Sequence, residues 1–476
     1  MDSGRSAALE ELLRGAHITG LAIDSREVRP GALFVALRGE HTDGHRFIPQ
    51  AVERGAAAIV AEERVDVPAG VAFTVVPDSA RALSQIADAF YGSPSRDLQI
   101  AGVTGTNGKT TTTQMIAAIC SAAGVPCGTI GTIGARFSDR EWPLANTTPL
   151  ASQLHDLLAQ MRDLGAKSVA MEVSSHALSL QRVEDIRFAA GALTNVTRDH
   201  LDFHKTFDAY AAAKRKLFDM APRCVLNLDD ELGARWSAEL RASKPVLTYA
   251  MTAPADIRPA SVDVRAGGSE FEVDGRRFSV RLPGRFNVAN ALCAIGVARS
   301  LGIDDERSAQ GLASLERVAG RMEHVRGGGI DVVVDYAHTP DALENVLRTL
   351  RETASRRLIV VFGCGGDRDR GKRSQMGRVA ARYADHSYVT SDNPRTEDPQ
   401  AIVDDILPGV GSAPHTVQID RRAAIDAAIA GAQPGDVVLL AGKGHENYQV
   451  AGTEVLPFDD VAVAREALAR RETAAK

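Results

Sequence analysis

Ala101-Gly102-Val103-Thr104-Gly105-Thr106-Asn107-Gly108-Lys109-Thr110-Thr111 separates an apolar run from a helical one, and its reading decides the fold. Ile100 to Val103 reads as the end of a buried strand, and Thr112 to Ala123 as a helix with Met115, Ile116 and Ile119 toward a core. Strand, glycine loop and helix together form the context that a phosphate site requires. Gly105 and Gly108 let the backbone turn its N–H groups inward, the helix start adds a favourable dipole, and Lys109 supplies a charge for the outer phosphates. The Thr110 hydroxyl is then placed to bind a magnesium ion. The strict pattern has a glycine where Val103 stands, so Thr-Gly-Thr-Asn-Gly-Lys-Thr is a variant that marks one branch of nucleotide-using proteins.

The chain of 476 residues exceeds a single ordinary core and predicts two to four domains. Its composition, 44% hydrophobic and 24% charged, is that of a globular protein, and its net charge of -6 disfavours a nucleic-acid partner. Anionic substrates are left to local basic clusters. Cys120, Cys127, Cys224, Cys293 and Cys364 are scattered without metal-type spacing and fit reduced thiols in a cytoplasm. Met1 to Gly15 carries Glu10 and Glu11 and lacks the apolar segment of a secretory signal, and no stretch reaches transmembrane length, so no membrane insertion is expected.

Leu21 to Val76 alternates short strands and helices, with a polar loop at Gly39-Glu40-His41-Thr42-Asp43-Gly44-His45 that reads equally well as a ligand loop or a solvated one. Gly92-Ser93-Pro94-Ser95 reads as a linker. After the phosphate loop come Asn146-Thr147-Thr148-Pro149 and a helix over Leu150 to Leu164. The strand Ser168 to Met171 then runs into Glu172-Val173-Ser174-Ser175-His176. A carboxylate at a strand's carboxyl end suits a magnesium ligand, although Glu172 could instead cap the next helix. Ala189 to Leu193 ends in Thr194-Asn195-Val196-Thr197-Arg198-Asp199-His200-Leu201-Asp202-Phe203-His204, a crowd of acids and histidines on the same edge. Lys214-Arg215-Lys216, on a helix from Phe207 to Met220, reads by itself as a solvated basic face. Thr248 to Leu282 predicts an antiparallel subsheet, and Asn287 and Asn290 share one face of the helix that follows. Farther on, Asp335-Tyr336-Ala337-His338, Gly363 to Arg373, Asp392-Asn393-Pro394-Arg395 and Ala441 to Glu446 each follow a strand. That is the arrangement of an open parallel sheet with a ligand along its carboxyl edge.

Taken in order, Thr-Gly-Thr-Asn-Gly-Lys-Thr, Glu-Val-Ser-Ser-His, Asn-Val-Thr-Arg-Asp-His-Leu-Asp, Gly-Arg-Phe-Asn-Val-Ala-Asn-Ala, Gly-Arg-Met-Glu and Asp-Tyr-Ala-His-Thr-Pro-Asp resemble the motifs of the Mur ligases. The likeness runs from about Asp24 to Glu446 and is nearest to the branch that adds the third residue of the muramyl peptide. It implies an α/β chain of three domains: a small amino-terminal domain at 1–96 for the UDP end of the substrate, a central phosphate-loop ATPase with a mostly parallel sheet at 97–318, and a Rossmann-like domain at 319–476 for the incoming amino acid. The implied reaction is ATP-dependent amide formation on UDP-N-acetylmuramoyl-L-alanyl-D-glutamate through an acyl phosphate, as a step of peptidoglycan synthesis by a cytoplasmic monomer.

The resemblance also implies roles. Gly105, Thr106, Asn107, Gly108, Lys109, Thr110 and Thr111 would cradle the phosphates of ATP, with Asn290, Arg321 and Asp335 on the nucleotide and His338 near phosphate. Magnesium would be bound by Thr110, Glu172, His200 and Lys214, the last as a carbamate formed with carbon dioxide. Only an uncharged amine reacts that way, so Lys214 must spend time deprotonated. The UDP-muramyl dipeptide maps onto Ser25, Glu40, His41, Thr42, Asn146, Thr147, Thr148, Ser174 and Arg182, although His41 stands in a local string unlike the family's. Asp392-Asn393-Pro394-Arg395 is the string of the branch that uses meso-diaminopimelate, because Arg395 can bind the distal carboxylate that lysine lacks. Arg368, Gly442 and Glu446 match the remaining contacts, with Glu446 suited to the distal ammonium. A lysine-adding ligase, a folylpolyglutamate synthetase-like enzyme and a nucleotide-binding scaffold protein are the rival readings.

Overall fold

The structure is a computed structural model that describes residues 9, 12, 13, 17–39 and 42–474. The chain divides into two compact units: Met1–Gly102, Val125–Gly191 and Ala213–Pro222 form one, and Val103–Gly124, Ala192–Ala212 and Arg223–Lys476 the other. Among the described residues three larger sheets carry the architecture, and the α/β class expected from the sequence holds in each.

The first sheet is wholly parallel and runs β1 (Gly20–Ala22), β2 (Ala32–Val35), β3 (Ala58–Ala61), β4 (Ala72–Val75) in that order. Successive side chains leave opposite faces of a strand, and the core divides accordingly. Leu33, Val35, Ala58 and Val60 enter one cluster, whereas Ala32, Phe34, Ile59 and Ala61 enter another. With both faces covered, β2 and β3 need no polar residues, which is why they read as unbroken apolar runs.

The second sheet contains β5 (Gln99–Thr104), β6 (Cys127–Gly131), β7 (Gly134–Phe137), β8 (Arg140–Trp142), β9 (Ser168–Glu172), β10 (Phe188–Leu193), β11 (Cys224–Asn227) and β12 (Val246–Tyr249), ordered β12-β11-β10-β5-β9-β6-β7-β8. The boundary between the two units falls within β5 and within β10. The β6–β7–β8 stretch is an antiparallel meander that the sequence reading passed over, and its glycines at 128, 131 and 134 dilute the strand pattern. The antiparallel subsheet expected between Thr248 and Leu282 is present as β13 (Ser261–Arg265), β14 (Gly268–Val273) and β15 (Arg276–Val280). Gly92 to Ser95, expected to be a linker, is instead an ordered turn in which Ser93 Oγ donates to Asp88 and Ser95 is buried.

The third sheet is ordered β16 (Glu323–Gly327), β17 (Ile330–Asp335), β21 (Val437–Ala441), β18 (Leu358–Phe362), β19 (His386–Val389), β20 (His415–Val417). Five of these strands run parallel, as the open parallel sheet expected requires, and β16 adds an antiparallel edge on β17. Val333, Val360, Phe362 and Leu439 pack on one side with the helices Pro340–Thr353, Arg373–Tyr383 and Pro399–Val410. Val332, Val361, Val438 and Leu440 pack on the other with Arg421–Gly431 and Asp460–Ala474. Each fully buried side chain of this kind contributes roughly 1.5–3 kcal/mol. This two-sided packing holds β17, β18, β19 and β21 rigid up to the points where their polar loops begin. A last hairpin pairs β22 (Tyr448–Ala451) with β23 (Glu454–Pro457). No helix among the described residues is long and apolar enough to cross a membrane.

Candidate active site

The phosphate loop follows β5 directly, and Lys109–Ala122 is the helix it opens. Gly105 has φ +149° and Gly108 φ +87°, and a Cβ at Gly105 would strike Thr194 and the Asn195 backbone. Gly108 occupies the cap position without a side-chain bond, which leaves the first N–H groups of a fourteen-residue helix for an anion. A Cβ there would meet the Asn290 amide, so the structure sets Asn290 against the loop. Asn287, on the same helix, donates to Pro283 O at 2.8 Å, and its Oδ1 accepts from Asn290 Nδ2 at 3.2 Å.

The loop is braced from the segment after β10. Asn195 Oδ1 accepts from Asn107 N at 3.0 Å, while Asn195 Nδ2 and Thr194 Oγ1 donate to Asn107 O at 3.1 and 2.6 Å. Thr106 Oγ1 bonds the buried Tyr210 hydroxyl at 2.9 Å. Asn107 Nδ2 donates to Asp341 at 2.9 Å. Lys109 folds back so that Nζ donates to Gly105 O at 3.0 Å and Thr106 O at 2.9 Å. Arg321 donates to Thr110 Oγ1 at 3.0 Å and lies 4.6 Å from the centre of the Tyr336 ring. Asp335 accepts from Met322 N at 2.8 Å, and burial raises its carboxyl above the ordinary range.

In the sequence Asp199 is one of a crowd of acids and histidines, but the structure makes it a hub. His200 Nε2, Lys372 Nζ and His338 Nε2 lie 3.3, 3.8 and 3.9 Å from its oxygens. Burial alone would raise the Asp199 carboxyl, yet His200, Lys372 and His338 together hold it well below the ordinary range. His338 keeps 35% of its side chain exposed, but the protein mass around it desolvates the ring. That desolvation and the cations of Lys372 and Arg321 push its pKa down to about 4. Lys372, missed from sequence, is one of two buried cations in that basic loop, with Arg373; burial is what the sequence could not show.

The expected amino-acid residues also converge in this unit. Arg395 and Arg368 flank Gly365, and Arg395 Nη1 donates to Gly366 O at 2.8 Å. Burial and the neighbouring Arg368 lower the Arg395 pKa. Asp392 lies against Gly442, whose φ of +118° admits no ordinary side chain. Asn393 Nδ2 donates to Glu446 Oε2 at 2.9 Å, and Gly366 N donates to Asn393 O at 2.9 Å, joining the loop before Pro394 to the glycine-rich one. Arg373, fully buried, forks onto Glu397 at 2.7 and 2.9 Å and fixes the end of the Asp392 to Arg395 loop.

In the other unit Glu172 is buried and does not cap the next helix, because Ser174 Oγ takes that place on Ala177 N. Its two oxygens accept instead from Thr132 N at 2.8 Å and Thr132 Oγ1 at 3.0 Å. Thr148 Oγ1 donates to Glu172 O at 2.9 Å, Arg182 donates to Thr148 O at 3.0 Å, and Thr132 meets Thr147 at 3.2 Å. Thr147, Thr148, Ser174, Glu172 and Arg182 are thus one connected network, with Asn146 exposed at its edge. Thr132 is the member that the sequence reading missed. Lys214 is buried, contrary to the solvated face read from its triplet, whereas Arg215 of the same triplet pairs with Asp219. Consecutive helical residues point about 100° apart, so three charges in a row cannot share one exposure. Ser25 Oγ donates to Gln50 at 2.6 Å, and Thr42 O accepts from Gly39 N at 2.9 Å. Glu40 and His41 lie outside the described residues.

No group of three or more His, Cys, Asp and Glu side chains is arranged to hold a metal among the described residues. Magnesium does not require one, since it takes one or two protein oxygens together with water and substrate phosphates.

Comparison with known proteins places this geometry. Three family profiles match in succession: Mur ligase family, catalytic domain, over residues 17–91; Mur ligase middle domain over 103–298; and Mur ligase, glutamate ligase domain, over 320–444. The chain is 48% identical to the UDP-N-acetylmuramoyl-L-alanyl-D-glutamate--2,6-diaminopimelate ligase of Gloeobacter violaceus, with 96% of this chain and 95% of that one aligned. The protein of the same name from Geobacter metallireducens is 45% identical over 96% of this chain and 94% of its own. A solved structure of a UDP-N-acetylmuramoyl-L-alanyl-D-glutamate--2,6-diaminopimelate ligase is 36% identical, covers 96% of this chain and 95% of its own, and superposes with a TM-score of 0.67.

Proposed function

The chain belongs to the Mur ligase family, and from that premise we propose that it uses ATP to join meso-2,6-diaminopimelate to the D-glutamate of UDP-N-acetylmuramoyl-L-alanyl-D-glutamate. A carboxylate is a poor acyl donor because an attacking amine would have to expel oxide. Transfer of the γ-phosphoryl group from ATP to a carboxylate oxygen releases ADP and gives an acyl phosphate. The amine then attacks the carbonyl carbon, and the tetrahedral intermediate expels inorganic phosphate and gives up a proton to leave the amide.

Gly105 to Thr111 cradles the phosphates with main-chain N–H groups, and Lys109 leaves its own loop's carbonyls to meet the outer phosphates. Asn290, Arg321 and Asp335 hold the nucleotide, and His338, whose Nδ1–H is given to Tyr336 O at 2.8 Å, stands near phosphate. Thr110, Glu172, His200 and Lys214 are the residues for magnesium; the oxygens of Thr110 and Glu172 suit a hard cation, and the buried Lys214 would take part as the carbamate. Bound there, magnesium would offset the negative charge that keeps ATP and a carboxylate apart. Thr147, Thr148, Ser174 and Arg182, with Ser25, Glu40, His41, Thr42 and Asn146, orient the UDP-muramyl dipeptide. Three working domains at 1–96, 97–318 and 319–476 share these roles, a division supported by three successive profile matches. The enzyme acts as a monomer in the cytoplasm, where ATP and the UDP-linked substrate meet.

The observation that carries this reading is the pairing of Arg395 and Arg368 beside Asp392, Asn393 and Glu446, cations for a distal carboxylate next to acceptors for a distal ammonium. A lysine substrate offers no partner to the first pair. The test is amide formation by the purified protein with meso-diaminopimelate against L-lysine, with ATP and the UDP-dipeptide held saturating. Product with diaminopimelate and little with lysine supports the proposal, and the reverse order refutes it.

A further inference from the structure

Lys443 is a fully buried cation among the residues proposed for the diamino acid. Its Nζ lies 3.0 Å from Asn393 Oδ1, 3.4 Å from Glu446 Oε2 and 3.5 Å from Asp392 Oδ1. An ammonium has three donors and no acceptor, so the Asn393 amide has to present its oxygen to Lys443. Val450 N donates to the same oxygen at 3.0 Å. With Oδ1 fixed from both sides, Asn393 Nδ2 is turned to Glu446 Oε2. That carboxylate oxygen is then doubly bonded to the protein, while Oε1 meets the Tyr336 hydroxyl at 3.3 Å.

Charge leads to the same residue. Asp392 and Glu446 are two acids in a poorly solvated site, and two buried carboxylates do not both ionise readily without a cation beside them. The nearby Arg421 is already matched, since it forks onto the equally buried Asp460 at 2.6 and 2.9 Å. Among the described residues Lys443 alone forms an ion pair with both acids. Burial and Asp392 raise the Glu446 carboxyl above the ordinary range, and Lys443 opposes that rise.

We propose that Lys443 is a positioning residue of the amino-acid subsite, which holds Asn393 in one amide orientation and Glu446 in the charged form and pose that receive the distal ammonium of the diamino acid. The inference rests on the functional reading above. It assigns Lys443 a part in recognition of the diamino acid and none in phosphoryl transfer.

The test uses the full chain with Lys443→Met, which keeps the length and removes the charge, and Lys443→Gln, which keeps a donor for Asn393. Lys443→Met is expected to raise the KM for diaminopimelate about tenfold or more, while the KM values for ATP and UDP-dipeptide stay within about twofold. Lys443→Gln is expected to fall between Met and the unaltered protein, because it restores the bond but not the charge. A diaminopimelate KM within about twofold of the unaltered protein in the Met variant, or an equal rise in all three KM values, would overturn the proposal. Should Lys443→Met fail to fold by thermal melting, the same criteria apply to Lys443→Gln alone. If the unaltered protein shows no diaminopimelate-dependent phosphate release, the functional reading itself fails; if it does and the variants match it, only the role of Lys443 is refuted.

Discussion

Gly105 to Thr111 offers main-chain groups from seven consecutive residues, whereas the proposed amino-acid subsite gathers Arg368, Asp392, Asn393, Arg395, Gly442 and Glu446 from three separate loops. The first is neutral backbone set at a helix start and braced by amide and hydroxyl side chains. The second is built from charged side chains, of which Asp392, Arg395 and Glu446 are desolvated and have pKa values displaced in both directions. Backbone N–H groups recognise a phosphate whatever it is attached to, so the loop serves any ligase that begins with ATP. A set of fixed charges recognises one arrangement of opposite charges, and it is where the proposed reading puts the choice of substrate.

The contrast is most exposed at Lys109, the one charged side chain of the phosphate loop. Lys109→Met is expected to lower kcat by roughly 10²–10³, the scale for losing one preorganised charge contact in a transition state, and to do so equally with every amino acid tried. Selective loss with diaminopimelate alone would blur the two regions. Arg395→Ala should act in the opposite sense, raising the diaminopimelate KM by about thirtyfold or more while the ATP KM holds, as measured by phosphate release. Asn195→Ala removes the bonds that pin Asn107 without touching a charge. A rise of roughly five- to tenfold in the ATP KM alone is expected, matching the loss of one or two ordinary hydrogen bonds.

The smallest effect lies outside both regions. His155 is fully buried beside Asp88 at 3.8 Å, and neither ring nitrogen has a hydrogen-bond partner. Burial lowers its pKa from 6.5 to about 4 against the opposing pull of Asp88. A base whose folded pKa is depressed binds fewer protons folded than unfolded between those values. Stability is therefore complete above about pH 6.5 and is lost progressively as the pH falls toward about 4, by roughly a few kcal/mol. His155→Leu should flatten that slope in denaturant melts at pH 4.5, 5.5 and 7, with kcat at pH 7 unchanged. An unaltered slope would assign acid sensitivity to another group.

Local patterns read well where one short window holds all the information. The strand–loop–helix around Lys109 and the helix Phe207–Met220 lie where periodicity and glycine spacing put them. The β6–β7–β8 meander did not, because its glycines erase the alternation that marks a strand. Tyr388 to Ser391 reads as a strand, but β19 ends at Val389; Thr390 and Ser391 are buried by the loops around them, so their small polar side chains could be mistaken for strand.

Taken alone, the sequence determined which chemical groups stand at each strand's carboxyl end, since that follows from short-range order along the chain. The tertiary structure decided which of them are stripped of water and which are set face to face. Lys214 is buried while its neighbour Arg215 pairs at the surface, Asp199 gathers two histidines and Lys372, and Lys443 sits between two acids. Desolvation and charge pairing depend on every element packed around a residue, and no window of neighbouring letters contains them.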